Sequence, residues 1–174
     1  MYSLSKDGAL FIWRYDDEEE KWYLDEKHFF FQYSRLFSAQ FHKESNLLVV
    51  GFANGFYSLI SLMKRIFGTY EVPTFTEIHR LSISKKKISA VAINPTGEWL
   101  AFGVPRYGQL LVWEWRSERY IMKQQGHFFE TNALAYEPQG RYLATAGNDS
   151  KIKIWKIEDG FCFVTFTGLR CPIF

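Results

Sequence analysis

A hairpin phrase is written three times in this chain. SAVAINPTGEWLAFG at 89–103 lies over NALAYEPQGRYLATA at 132–146 at an offset of 43 residues, and SAQFHKESNLLVVG at 38–51 lies over the first at an offset of 51 to 52, its turn one residue shorter. Each copy is a short apolar segment, a polar turn and a second apolar segment that ends near a small residue. Asn94-Pro95-Thr96-Gly97 and Glu137-Pro138-Gln139-Gly140 put proline where φ is preset near about −65° and glycine at the fourth position, the signature of a type I turn. The His42 to Asn46 turn lacks both residues and is the degenerate copy.

A third strand follows each hairpin: YSLISL at 57–62, LLVWEW at 110–115 and IKIWKI at 152–157, while LFIWRY at 10–15 follows a hairpin that would precede residue 1. Period-two alternation rich in β-branched and aromatic residues marks these as strands with one face buried more deeply. Trp113 and Trp155 are 42 apart, Ile60 and Trp113 are 53 apart, and Trp13 and Ile60 are 47 apart. Such spacings belong to a repeat of roughly 40 to 45 residues with insertions. Fourth strands come next, at RYIMKQQGH (119–127) and CFVTFTG (162–168). Four short strands per repeat, with no helical period of useful length, specify the blade of a β-propeller. The expected fold is all-β, a partial β-propeller of about three and a half four-stranded blades.

The repeat divides the chain into the end of a blade at 1–15, a degenerate blade at 16–62, an inserted loop at 63–75, a blade at 76–115, the best-matched blade with its following outer strand at 116–167, and a divergent tail at 168–174. The acidic run DDEEE at 16–20 and the lysines at 85–87 read as solvated turns. Ser45 to Met63 holds no charged residue, but Asn54-Gly55 divides it, and that dipeptide between apolar runs signals a hairpin of two strands instead of a membrane span.

Composition sets limits on function. With 47% apolar and 19% aromatic residues the core is ample, and a net charge of +2 lacks the basic imbalance that makes nucleic-acid binding a default reading. Contact with RNA is expected to be local or made through a partner. Two cysteines, Cys162 and Cys171, fit neither a disulfide framework nor a metal knuckle, and with no signal or transit peptide they point to a reducing compartment, cytoplasmic or nuclear.

The stretch QGH followed by LAYEPQGRYLATAGNDSKIKIW resembles the Trp-Asp (WD) repeat: Gly-His, an apolar strand, a Pro-x-Gly turn, a small-residue strand, Asp and a closing Trp. The resemblance implies a structural hydrogen-bond set of Trp155, Thr145, His127 and Asp149. Donor and acceptor inventories allow that chain, with the indole donating, the hydroxyl relaying and the carboxylate accepting from imidazole. Ser3, Asp7 and Trp13 repeat the spacing of Thr145, Asp149 and Trp155 and make a partial second set. The third repeat keeps Trp113 but has Ser84 near the Gly-His position and Tyr107-Gly108 where Asp would fall, so its stability is expected to rest on packing.

A closer resemblance is carried by SKDGALFIW, HRLSIS, GQLLVWEW, SERYIMKQQGH and GFCFVTFT, which together look like the periodic tryptophan protein 2 family over about residues 1–167, leaving out 63–75. The resemblance implies a noncatalytic scaffold of the nucleolar small-subunit processome, in its UTP-B subcomplex. It implies UTP-B and other processome proteins as partners, pre-rRNA and the small nucleolar RNP reached through the complex, no cofactor and no membrane. After FVTFT the pattern departs, since Gly168 is followed by Leu169 instead of His. A generic WD-repeat adaptor, or a nonfunctional truncated product, stays open beside the scaffold.

A catalytic reading of His127 and Asp149, as a general base and its orienting carboxylate, lacks a nucleophile in a Gly-rich elbow, a phosphate loop and a second paired acid. The structural reading accounts for all four positions together, so no catalytic, cofactor or metal residue is expected. His28, His42 and His79 are scattered without metal-ligand spacing. Cys162 reads as a buried inert thiol and Cys171 as part of an exposed tail. HFFF at 28–31 and HFF at 127–129 would suit RNA stacking, but blade-to-blade filling is the favoured reading; Lys85 to Lys87, Arg106 and Lys151 would supply phosphate contacts if they shared a face.

Overall fold

A computed structural model describes residues 1–29, 34–67, 70–105 and 108–173, and within them the side chains of all but 63–67 and 70–74. Fifteen strands are described: β1 (Tyr2–Leu4), β2 (Ala9–Asp16), β3 (Lys21–Phe29), β4 (Leu36–His42), β5 (Leu47–Phe52), β6 (Phe56–Phe67), β7 (Tyr70–Ser82), β8 (Ala90–Ile93), β9 (Trp99–Val104), β10 (Gln109–Glu114), β11 (Arg119–Gln125), β12 (Thr131–Tyr136), β13 (Tyr142–Gly147), β14 (Ile152–Lys156) and β15 (Phe161–Phe166). They form four antiparallel meanders in chain order: sheet 1 of β1–β3, sheet 2 of β4–β7, sheet 3 of β8–β11 and sheet 4 of β12–β15. The chain is thus a partial β-propeller, three sheets having four strands and the first having three.

Local chemistry explains the hairpins. Gly97 N–H bonds Asn94 O at 2.9 Å and Gly140 N–H bonds Glu137 O at 2.8 Å, closing both Pro-x-Gly turns. Both glycines have positive φ, 77° and 74°, a conformation that costs a residue with a Cβ and costs glycine nothing. The uncharged Ser45–Met63 stretch is divided as expected, β5 and β6 pairing across Asn54-Gly55.

Alternation sends successive residues to opposite faces, and in sheets 2 and 3 each face meets a neighbouring sheet. Leu48, Val50 and Ile60 of sheet 2 pack with Leu10 of sheet 1, while Val49, Tyr57 and Leu59 pack with Leu100, Phe102 and Trp113 of sheet 3. Ala101, Leu110 and Val112 of sheet 3 lie against Leu143, Trp155 and Ile157 of sheet 4. The ladder between third and fourth strands shifts register at Ile12/Trp13, Leu59/Ile60, Val112/Trp113 and Ile154/Trp155. A bulge adds twist, and this one stands immediately before the tryptophan position in every sheet.

Two expectations are revised. The 63–75 insertion, expected as a loop, continues the ladder instead: β6 and β7 pair outward with Lys64 opposite Pro73 and Phe67 opposite Tyr70. β7 is the edge of its sheet, where a residue without an N–H forfeits no ladder bond. The repeat boundaries at 15/16 and 115/116 fall at the end of β2 and in the β10–β11 turn, inside sheets. A sequence repeat that opens with an outer strand is one strand out of phase with the sheet that strand completes.

Candidate functional site

Sheet 4 assembles a four-residue chain from three places. Trp155 comes from β14 and Thr145 from β13; Asp149 lies in the turn between those strands, and His127 in the loop before β12. The indole Nε1–H donates to Thr145 Oγ1 at 3.0 Å. Thr145 Oγ1 and His127 Nε2 are 2.7 Å apart, and His127 Nδ1 and Asp149 Oδ1 2.8 Å. Donor counting assigns the protons. The indole only donates, so the threonine hydroxyl gives its hydrogen to Nε2, and Nδ1 carries the ring hydrogen toward the carboxylate.

Asp149 also fixes the backbone around it. Phe128 N–H reaches Oδ2 at 3.1 Å and Lys151 N–H reaches Oδ1 at 3.3 Å. Burial works to raise the carboxyl's pKa, but the Phe128 N–H, the His127 ring and the Lys151 N–H outweigh it and hold it below the ordinary carboxylate range. His127 is only 2% exposed and both its nitrogens are engaged. A base must come within hydrogen-bond reach of its substrate; this ring is enclosed by the fold and ties its loop to β13 and to the β13–β14 turn.

The partial second set comes together only in part. Trp13 Nε1–H donates to Ser3 Oγ at 2.7 Å, repeating the Trp155–Thr145 bond. Asp7 instead accepts the Ser5 hydroxyl, which holds its carboxyl low; no described histidine meets it. In sheet 3 the chain is gone. Trp113 faces Leu100 across the ladder as Trp155 faces Leu143, which puts Phe102 where Thr145 stands, and the buried Trp113 Nε1 has no hydrogen-bond partner among the described residues. Tyr107, which stands in the sequence where the aspartate would fall, and Arg106 lie outside the described residues.

The other singled-out residues are dispersed. His42 bonds Ser45 Oγ and Pro95 O, His28 stacks on Phe75 at 4.4 Å, and Cys162 is half-buried with Cys171 exposed. Lys85 and Lys86 are exposed, while Lys87 pairs with Glu130 at 2.5 Å. Blade-to-blade filling does not hold for Phe128 and Phe129, which are 73% and 54% exposed. Alternation ends with the strand, and Asp149 grips the Phe128 N–H at the rim, turning both rings out. Phe30 and Phe31 lie outside the described residues.

A second chain escaped sequence reasoning. Tyr57 Oη and His79 Nδ1 are 2.9 Å apart, and His79 Nε2 meets Glu118 at 3.0 Å. It links β6 and β7 of sheet 2 to the β10–β11 turn of sheet 3. No repeat spacing predicts it, because sheet 4 has no counterpart. Among the described residues no group of three or more His, Cys, Asp or Glu could hold a metal ion, and no helix is long and apolar enough to cross a membrane.

Comparison with known proteins places these features. Residues 118–156 match the family model of the WD domain, G-beta repeat. The chain is 51% identical over 163 residues, 87% of its length, to the periodic tryptophan protein 2 homolog of Neurospora crassa. It is 42% identical over 188 aligned residues, 95% of its length, to periodic tryptophan protein 2 of Saccharomyces cerevisiae. A weaker likeness, 28% over 103 residues, joins it to THO complex subunit 3 of Arabidopsis thaliana, covering 59% of this chain and 32% of that protein. The chain spans only 17% and 19% of the first two relatives.

Proposed function

The chain belongs to the periodic tryptophan protein 2 family of WD-repeat proteins, and from that premise we propose that it is a noncatalytic scaffold in nucleolar small-subunit rRNA processing. It acts within the small-subunit processome, in contact with UTP-B proteins, and meets pre-rRNA and the small nucleolar RNP through that complex. The observation that carries this reading is the identity to relatives of that name over most of the chain. The site geometry agrees with it: the four polar side chains of sheet 4 spend their hydrogen bonds on one another and on backbone, which suits a rigid platform more than a reaction centre.

Purifying the tagged chain from cells tests the reading, with expected enrichment of processome proteins and pre-rRNA and nucleolar staining of the same tag. Recovery of neither would sink it. The likeness to THO complex subunit 3 favours a second reading, a WD-repeat adaptor of another assembly, and a pull-down that returns a different complex without nucleolar proteins would establish that one.

A further inference from the structure

Each sheet runs its strands up and down, so the connections fall at two opposite ends, and the two ends differ in charge. Neighbouring sheets stack with like ends together. At one end His42 Nε2 meets Pro95 O at 2.9 Å; at the other Ile88 N–H donates to Phe52 O at 3.0 Å and Ser89 Oγ to Thr131 O at 2.6 Å. The first end is made by the turns at 17–20, 43–46, 94–98, 115–118, 137–141 and 157–160, which carry ten acidic and three basic residues. At the second end the described residues between strands are six basic, Lys6, Arg35, Lys85, Lys86, Lys87 and Lys151, and three acidic.

The three acids of the second end are already engaged. Asp7 accepts the Ser5 hydroxyl, Glu130 pairs with Lys87 at 2.5 Å, and Asp149 holds His127 and the Phe128 N–H. Lys85 and Lys86 stay exposed. This end therefore presents positive charge to solvent although the whole chain is only +2, and such a field draws acidic partners.

Apolar surface marks one place on it. Phe128 and Phe129, 73% and 54% exposed, lie in the connection between sheets 3 and 4, on the end of the strands and not on the outer face of sheet 1 or sheet 4. Their loop is pinned from beneath. Gly126 N–H and His127 N–H both donate to Gly108 O, at 2.8 and 3.0 Å, and a Cβ at Gly108 would run into His127 O. Asp149 ties the Phe128 N–H to the Lys151 N–H, and Lys87 reaches the residue after Phe129. Exposed aromatics that are already ordered lose little entropy when a partner covers them, which is what an interface anchor requires.

Ring geometry and charge density choose the class of partner. The two rings stand at 89° with centroids 4.9 Å apart. Single-stranded RNA uses ring faces on which successive bases stack; a perpendicular pair makes a notch for one apolar side chain. Six cations against three acids also fall short of the dense basic stripe that marks a nucleic-acid surface. We propose that this end of sheets 2 to 4 takes an acidic segment of a partner protein, one aromatic or aliphatic side chain of that segment seated against Phe128 and Phe129 and its carboxylates drawn to Lys85, Lys86 and Lys151. The inference applies to whichever assembly the chain joins and does not rest on the processome reading.

Panning random-peptide phage on the immobilised full chain tests it. Enriched peptides should carry Asp or Glu around one Phe, Trp, Leu or Ile; enrichment of basic peptides, or of none, overturns the proposal. The winning peptide, labelled with fluorescein, is then titrated by anisotropy. Phe128→Ser should weaken binding by about tenfold or more, as loss of an interface anchor does. Lys85→Glu with Lys86→Glu should weaken it and flatten its salt dependence. All three positions are exposed, so the far-ultraviolet spectrum and the urea midpoint should stay those of wild type. Glu18→Lys, at the opposite end, should leave the affinity as it was; an equal change there would make the effect one of net charge and overturn the site. Affinity that ignores the Phe128 and lysine variants refutes it as well. Oligouridine that binds more tightly than the peptide, and is lost in the same variants, would assign the surface to RNA, against the proposal.

Discussion

Thr145 and Phe102 hold the same register position in successive sheets and leave the tryptophans before them in opposite states. Each lies two residues beyond the leucine that faces its sheet's tryptophan. The threonine accepts the Trp155 N–H and passes a hydrogen bond to His127. The phenylalanine cannot, so Trp113 is held mainly by packing: its ring meets Tyr120 edge-on at 4.7 Å and is buried with Val91, Leu100, Phe102 and Leu111. One fold position is thus stabilised by polar linkage in sheet 4 and by apolar contact in sheet 3.

Asp149→Ala should destabilise the chain without touching any reaction. The substitution leaves His127 Nδ1–H and the Phe128 N–H without their acceptor, and stranding a buried partner costs about 1–3 kcal/mol. Urea unfolding followed by tryptophan fluorescence measures it. A loss no larger than that of an exposed control such as Glu18→Ala would show the carboxylate to be idle.

The same carboxylate should make stability depend on acid. Its folded pKa is held below the ordinary range, so as pH falls the unfolded chain takes up the proton first. The contribution is therefore complete above the unfolded value of about 3.9 and fades as pH falls through the folded one. Asp149→Asn removes the titration, so the gap between wild type and variant should be constant down to about pH 5 and shrink below about pH 4. Urea midpoints at a series of pH values would decide it, parallel curves through that window speaking against the assignment.

How much could be read beforehand depends on whether a position's role is fixed by chemistry or by neighbours. Pro95-Thr96-Gly97 announces a turn because each residue's backbone limits leave few alternatives. Trp155, Thr145, His127 and Asp149 were named together through the WD-repeat resemblance, and donor and acceptor inventories allow that chain without choosing it. Asp7 matched the spacing but turned to Ser5, since spacing names a place and a partner must still be there to fill it. Tyr57, His79 and Glu118 were invisible for the opposite reason: their contact joins two sheets, and β6 and β7 run on through the 63–75 extension, which shifts every offset. Phe128 and Phe129 misled because an aromatic after a strand says nothing of which way its loop turns.

Tyr57 and Tyr136 should resist alkali until the chain unfolds. Burial drives both phenols far above their ordinary range, and at Tyr57 the nearby Trp113 indole opposes this only in part. A raised folded pKa gives stability that is whole below the unfolded value of about 10 and is lost as pH climbs through the folded one. Phenolate absorbance of the native chain should fall short of the ten tyrosines by at least these two. Tyr57→Phe should also soften the loss of stability above about pH 10. Full titration of all ten while tryptophan fluorescence stays native would contradict both statements.

Replacing each of two tryptophans by phenylalanine separates polar linkage from packing. Trp155→Phe deletes the N–H that Thr145 accepts, so it should cost ring packing and about 1 kcal/mol of hydrogen bond besides. Trp113→Phe deletes a buried N–H that closes no hydrogen bond of good geometry, though it lies near enough to the Tyr57 hydroxyl to favour the phenolate; part of the desolvation it carried is relieved, offsetting some of the lost packing. The two rings are similarly enclosed, at 5% and 4% exposure, so packing losses are comparable and the difference reports the bond. Urea unfolding should rank Trp155→Phe as the more damaging by about 1–3 kcal/mol. Pairing each with Thr145→Val completes a double-mutant cycle, in which coupling should appear for Trp155 and vanish for Trp113. Equal coupling in both would mean that the threonine acts through sheet packing, and that the hydrogen bond contributes nothing of its own.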